Sequence, residues 1–203
     1  MDNLRQMKNR TVLEGIQHHE QNPVRVYEKD GVQDGRIAMA RRAVFAAIAT
    51  LANGPRTIVE LGCGVLDITG PLSPIHEVIG VECSEKTALH AKKLYPAAVV
   101  RQSAIEDVEP FPCDVLVLCE VLEHLTDPMD LVKKWLPVAR AVVISHPLDE
   151  PVDSGLSGGD HCWSFTENDL VYWFVEGGHE VRTVEKFQMG SYQIGLARGA
   201  RIT

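Results

Sequence analysis

The stretch Thr57-Ile58-Val59-Glu60-Leu61-Gly62-Cys63-Gly64 decides the fold. Its first five residues form a short apolar run interrupted only by an acid at its end, and Gly-Cys-Gly follows at once. A run this short, without polar alternation, reads as a strand buried on both faces. The glycines let the backbone turn tightly and approach a ligand where a side chain would collide. A strand that ends in an acid and a glycine turn forms the nucleotide crevice of an open α/β sheet.

Working outward, the same alternation of strand and helix recurs. Upstream, Ile37, Ala40, Val44, Ile48 and Leu51 repeat at helical spacing from Gly35 and stop at Asn53-Gly54-Pro55. Downstream, strands are predicted over 78–81 (closed by Glu82), 97–100, 114–118 and 141–145. A helix capped by Ser84 should turn Ala88, Ala91 and Leu94 inward, and further helices are predicted over 130–136 and, capped by Thr166, over 167–176. The segments 179–187 and 192–197 flank Met189-Gly190-Ser191 and read as an antiparallel hairpin. The expected fold is therefore α/β, a doubly wound, mostly parallel sheet of seven strands closed by an antiparallel C-terminal hairpin. Residues 1–34 are polar and read as an N-terminal extension with a candidate amphipathic helix.

Composition removes several classes of function. The 203 residues carry a formal net charge of -8, which disfavours a generally basic nucleic-acid-coating protein. No stretch of about 18 consecutive apolar residues occurs, and the first 20 residues lack an apolar signal core, so no membrane span is expected. The five cysteines, Cys63, Cys83, Cys113, Cys119 and Cys162, are odd in number and form no CxxC pair. Free thiols in a reducing, cytoplasmic setting are the expectation.

The glycine turn also limits the ligand. A dinucleotide fingerprint beginning at Gly62 requires glycine at position 67, which is Asp67, and no Lys-Ser or Lys-Thr pair is present for a triphosphate. A pyrophosphate beside Glu60 and Asp67 is poorly served, whereas a cofactor carrying an amine and a sulfonium suits acidic surroundings.

From about Arg36 to Ala197 the chain resembles the class I S-adenosylmethionine-dependent methyltransferases, whose Rossmann-like fold matches the element order. The family's first motif appears as ELGCGVL, with Leu66 where a third glycine is usual; Gly70-Pro71 suggests that the following helix is short. Cys119-Glu120-Val121-Leu122-Glu123-His124-Leu125 matches the EVLEHL stretch of a group that includes ubiquinone-biosynthesis O-methyltransferases. His161-Cys162-Trp163-Ser164-Phe165-Thr166, with Leu170 and Gly178, resembles a later segment of that group. The resemblance implies a methyltransferase domain over 35–203, with residues 1–34 as a candidate lid over the active site. It implies S-adenosyl-L-methionine as cofactor, with Glu60, Gly62, Cys63 and Gly64 at the methionine portion. Glu82, 18 residues past Gly64, would accept both ribose hydroxyls beside Cys83. The adenine would meet the backbone N–H of Ile105, since Ala104 offers no side-chain acceptor, and Cys119 and Glu120 would line the mouth at the methyl group.

The expected acceptor is a small molecule, with His124 and His146 as candidate catalytic bases and nucleic acid disfavoured as a partner. Two alternatives stay open. Glu120, Glu123, His124 and His161 resemble the E-x-x-E-H and later histidine of metal-assisted small-RNA 2′-O-methyltransferases, but Asp160 stands where that family doubles the histidine, so no metal is expected. The other alternative is a non-catalytic module that binds the cofactor and regulates a partner. Arg36, Arg41 and Arg42 read as a solvated basic face of the first helix, and the aromatic residues Trp163, Phe165, Tyr172, Trp173 and Phe174 as core with one wall of the substrate pocket.

Overall fold

The computed structural model describes residues 5–6, 31–150, 161–189 and 192–201. In chain order the described elements are β1 (Arg5–Gln6), α1 (Gly31–Ala49), β2 (Thr57–Leu61), β3 (Glu77–Glu82), α2 (Glu85–Leu94), β4 (Val99–Gln102), β5 (Cys113–Cys119), α3 (Pro128–Trp135), β6 (Ala139–Leu148), β7 (Trp163–Ser164), α4 (Glu167–Glu176), β8 (His179–Met189) and β9 (Tyr192–Arg201). The main sheet runs β4-β3-β2-β5-β6-β9-β8. Strands β2 to β6 are mutually parallel, and β9 lies antiparallel between β6 and β8. The chain leaves β2 in one direction through β3 and β4, then returns to β5 on β2's other side. That reversal opens a crevice at the carboxyl ends of β2 and β5, where open α/β sheets bind ligands.

Both faces of the sheet are covered, which explains the unalternated apolar strands. On β5, Val115 and Val117 join the layer under Ala40, Val44 and Ala47 of α1 and Ala88 and Ala91 of α2. Leu116 and Leu118 point the other way, beneath Val132 and Trp135 of α3 and Leu170, Trp173 and Phe174 of α4. Ser84 caps α2 by accepting the Thr87 N–H at 3.4 Å. Thr166 and Asp169 form the reciprocal capping box of α4. That helix stops at Gly177, where an added Cβ would lie 2.4 Å from Leu136 Cβ.

Several expectations need adjustment. Leu94 is the last residue of α2 and is exposed, so the inner face of that helix is Thr87, Ala88 and Ala91. The third strand runs two residues later than predicted because it is the sheet edge: Arg101 and Gln102 are exposed and carry no hydrophobic signal. The helix expected from Gly35 begins at Gly31. The candidate amphipathic helix of the extension and most of its candidate lid lie outside the described residues. Within the extension, Arg5–Gln6 pairs with β7, Arg5 opposite Ser164. Among the described residues no helix is long and apolar enough to cross a membrane.

Candidate active site

The glycine turn after β2 is built from left-handed backbone. Gly62 and Gly64 have φ of 62° and 52°, and Leu66, in place of the third glycine, has φ of 65°. A Cβ on Gly62 would lie 2.7 Å from Val121 Cγ2, so only glycine leaves that approach open. The Leu66 side chain is fully buried and packs over Gly80, where a Cβ would lie 2.7 Å from Leu66 Cδ1 and from Cys63 Sγ. The helix that would follow is reduced to a single 3-10 turn, Gly70–Leu72. Gly70 makes room there for Tyr95, whose ring an added Cβ would meet at 2.5 Å. The Tyr95 hydroxyl donates to Asp67 Oδ1 at 2.8 Å.

The two carboxylates of this half are held by neighbouring donors. Glu82, at the end of β3, accepts the Gly64 N–H at 2.9 Å and the Ser84 N–H at 2.8 Å. A carboxylate has about four lone-pair positions, so Glu82 keeps acceptor capacity for ribose hydroxyls. Glu60 Oε2 accepts both the N–H and the hydroxyl of Thr69, at 3.1 and 2.5 Å. Burial nevertheless raises Glu60 to about 7. Cys83 donates to Glu82 Oε1 at 3.5 Å, and burial and that acid push it to about 12. Ile105 is buried at the start of a 3-10 turn that follows β4. The exposed Gly62, the left-handed Gly64 and the anchored Glu82 suit the cofactor expected from the sequence.

The opposite half lies beyond β5. Cys119 ends that strand in register with Ser145 of β6, and burial pushes its thiol to about 12. Glu120 adopts φ of 56°, a left-handed conformation unusual for a residue with a side chain. Its N–H donates to the Ser145 carbonyl and its carboxylate accepts the Ser145 hydroxyl at 2.8 Å. Arg36 of α1 approaches the other Glu120 oxygen at 3.7 Å. Glu123 and His124 follow on a 3-10 turn, Leu122–His124. The segment around β7 is stitched to that turn: the Cys162 N–H donates to the Glu123 carbonyl and the Trp163 indole to the Leu125 carbonyl. The His161 ring is thereby brought edge-on to His124, with centroids 4.7 Å apart. Its Nδ1 lies 2.6 Å from Oε2 of buried Glu150. Among the described residues Glu123, 1% exposed, has no hydrogen-bond partner on either carboxylate oxygen, and burial raises it well above the usual carboxylate range.

His146 is not part of this gathering. Its ring is fully buried, 4.7 Å from that of Phe165, with Nδ1 at 3.0 Å from the Pro147 carbonyl. Burial lowers it to about 4, so the sealed ring is a weak proton acceptor near neutral pH. The expectation of a catalytic His146 gives way to a packing role. The three arginines of α1 are engaged: besides Arg36, Arg41 donates to the Asp67 carbonyl and Arg42 pairs with Glu185. Glu150 is the site residue that the sequence did not indicate. It carries no motif, and its place beside His161 depends on how the chain closes after β6.

The comparisons accord with this fold. Residues 59–141 match the family described as "Methyltransferase domain". Among solved structures, magnesium protoporphyrin IX methyltransferase from Synechocystis PCC 6803 with bound S-adenosylhomocysteine superposes at a TM-score of 0.75 and 15% identity, covering 92% of this chain and 97% of that one. A putative S-adenosylmethionine-dependent methyltransferase from Listeria monocytogenes gives 0.63 at 17% identity, covering 82% of this chain and 100% of that one. The putative methyltransferase complexed with the Trm112 activator from Haloferax volcanii gives 0.65 at 12% identity, covering 86% and 95%. No curated protein matches the sequence. The fold is the Rossmann-like fold of class I methyltransferases. Residues 59–141 thus match a methyltransferase domain, and the chain shares its fold with S-adenosylmethionine-dependent methyltransferases.

Proposed function

We propose that the chain transfers the cofactor's methyl group to a small-molecule acceptor bound beyond β5. The observation that carries this is the acid-rich lining of that half, where Glu120, Glu123 and Glu150 gather. A polyanionic nucleic acid binds through clustered cations, which this lining opposes. In the reaction the acceptor's lone pair attacks the methyl carbon. The carbon–sulfur bond breaks with its electrons going to sulfur, S-adenosylhomocysteine leaves, and the acceptor loses a proton to its surroundings. Alignment of nucleophile, carbon and sulfur supplies much of the acceleration. The backbone at Gly62, Cys63 and Gly64 receives the methionine portion, and Glu60 fixes that loop through Thr69. Glu82 and Cys83 receive the ribose, Ile105 meets the adenine, and Cys119 and Glu120 line the methyl's exit. His124 stands by the acceptor's nucleophilic atom. The five free cysteines support a cytoplasmic setting.

Calorimetry with S-adenosylmethionine and S-adenosylhomocysteine should show micromolar-scale binding to the folded protein and a raised Tm. Isotope-labelled cofactor should then mark the small-molecule fraction of an extract. Label entering only nucleic acid would overturn the acceptor class, and absence of any transfer despite binding would favour a regulatory module.

A further inference from the structure

The acids of the acceptor half differ in what completes them. Glu120 faces Arg36 at 3.7 Å and accepts the Ser145 hydroxyl at 2.8 Å. Glu150 lies against Nδ1 of His161 at 2.6 Å. Glu123 is 1% exposed, and among the described residues neither of its carboxylate oxygens has a hydrogen-bond partner. One of those oxygens lies within 4.8 Å of a ring nitrogen of His124 and of one of His161, so the carboxyl is turned into the gathering. A buried polar group left unpartnered costs about 1–3 kcal/mol, and more when it is charged. We propose, on the footing of the methyl transfer beyond β5, that the acceptor is an organic cation, a small molecule whose protonated amine or amidine group seats against Glu123 with Glu120 beside it.

The hydrogen-bonding capacities match such a group. An ammonium offers three N–H donors and no acceptor, whereas a carboxylate only accepts. Bonds between the two ionised groups are about twice as strong as neutral ones. Glu120 and Glu150 both repel negative charge at Glu123, so an anionic acceptor meets the same repulsion and a neutral one leaves it in place. A cation offsets it. In the empty site burial keeps a proton on Glu123 near neutral pH; a cation beside it favours the carboxylate, and that proton leaves to solvent as the acceptor seats. Arg36 already takes part of the charge of Glu120, which leaves Glu123 as the principal anchor. The same acids offset the repulsion between two positive groups in one crevice, the acceptor's and the cofactor's sulfonium. Transfer itself follows the displacement already described and needs no further reactant.

The test incubates the full chain and methyl-labelled S-adenosylmethionine with a metabolite extract sorted beforehand, by ion exchange at neutral pH, into cationic, neutral and anionic pools. Label is expected in the cationic pool. Glu123→Gln should raise KM for the labelled cation about 10–100-fold, the loss of a charge-assisted bond, with kcat changed far less; Glu120→Gln should raise KM by a smaller factor. S-adenosylhomocysteine affinity, measured on both variants, reports whether the fold and the cofactor half are intact. Label entering the neutral or anionic pool instead, or a KM unchanged in both variants, would overturn the cationic acceptor and leave methyl transfer standing. No label in any pool, from a chain that binds S-adenosylmethionine, would overturn the transfer reading and the cationic acceptor together.

Discussion

The two halves of the crevice treat their carboxylates in opposite ways. At the ends of β2 and β3, Glu82 accepts two backbone N–H groups and Glu60 is doubly bonded by Thr69. Beyond β5, the Glu123 carboxylate has no hydrogen-bond partner among the described residues, Glu120 sits on left-handed backbone, and Glu150 is taken up with the His161 ring. The difference matches what the proposed function asks of each half. A half that receives the same cofactor at every turnover can be completed by the polypeptide itself, with donors fixed in strand ends and turns. The other half leaves polar groups for something supplied from outside.

The largest effect expected concerns Glu60, which tests whether hydrogen bonding alone makes a carboxylate comfortable. Burial raises it from 4.5 to about 7. Between those values the folded chain keeps a proton that the unfolded chain has released. Its contribution to stability is therefore complete below about pH 4.5 and declines as the pH rises toward 7. That span corresponds to about 3 kcal/mol. Relative to the unmutated chain, Glu60→Gln should gain about that much between pH 4 and pH 8 in cofactor-free protein. Denaturant melts at several pH values check this, and parallel curves for the two proteins would contradict it.

Next, Glu82→Ala should weaken S-adenosylhomocysteine binding by about 1–3 kcal/mol, or roughly 10–100-fold, through loss of charge-assisted bonds. Calorimetry measures it, and an unchanged dissociation constant in a folded variant would remove Glu82 from the cofactor half. The smallest effect has the opposite sign. Near pH 7, Glu123→Gln should raise Tm by about 2–4 °C, because it replaces a buried carboxyl that folding must keep protonated, at a gain of about 1 kcal/mol. Its S-adenosylhomocysteine affinity should stay within about twofold. A lowered Tm there would erase the contrast between the halves.

Much of this architecture was legible in the sequence because it is local. The bounds of β2 and α4 agree with their apolar runs and caps, and the short turn after β2 follows Gly70-Pro71. The strand predicted over 141–145 is β6, which extends two residues further at its start and three at its end, where His146-Pro147 looks like a terminator. Pro147 lies past the last β6 residue paired with β5, where one side of the ladder has ended and proline is tolerated. The turn proposed to receive the cofactor is equally local, because Glu60, Gly62 and Gly64 lie within five consecutive residues. The acceptor half joins residues about 40 positions apart, and spacing along the chain carries no signal for Glu150 meeting His161 or for the sealing of His146 behind Phe165.

Leu66 and Gly80 carry a consequence for how this loop can change. The leucine fills the space that the missing side chain of Gly80 leaves, so neither position is independent of the other. Gly80→Ala introduced first collides with Leu66 and Cys63. Leu66→Ala introduced first opens a cavity and then gives the new methyl at position 80 part of the room it needs. The two substitutions should therefore be epistatic, the double variant losing less stability than the sum of the singles. Of the two mutational orders, the one that begins at Leu66 is the more passable for a lineage that cannot cross a nonfolding intermediate.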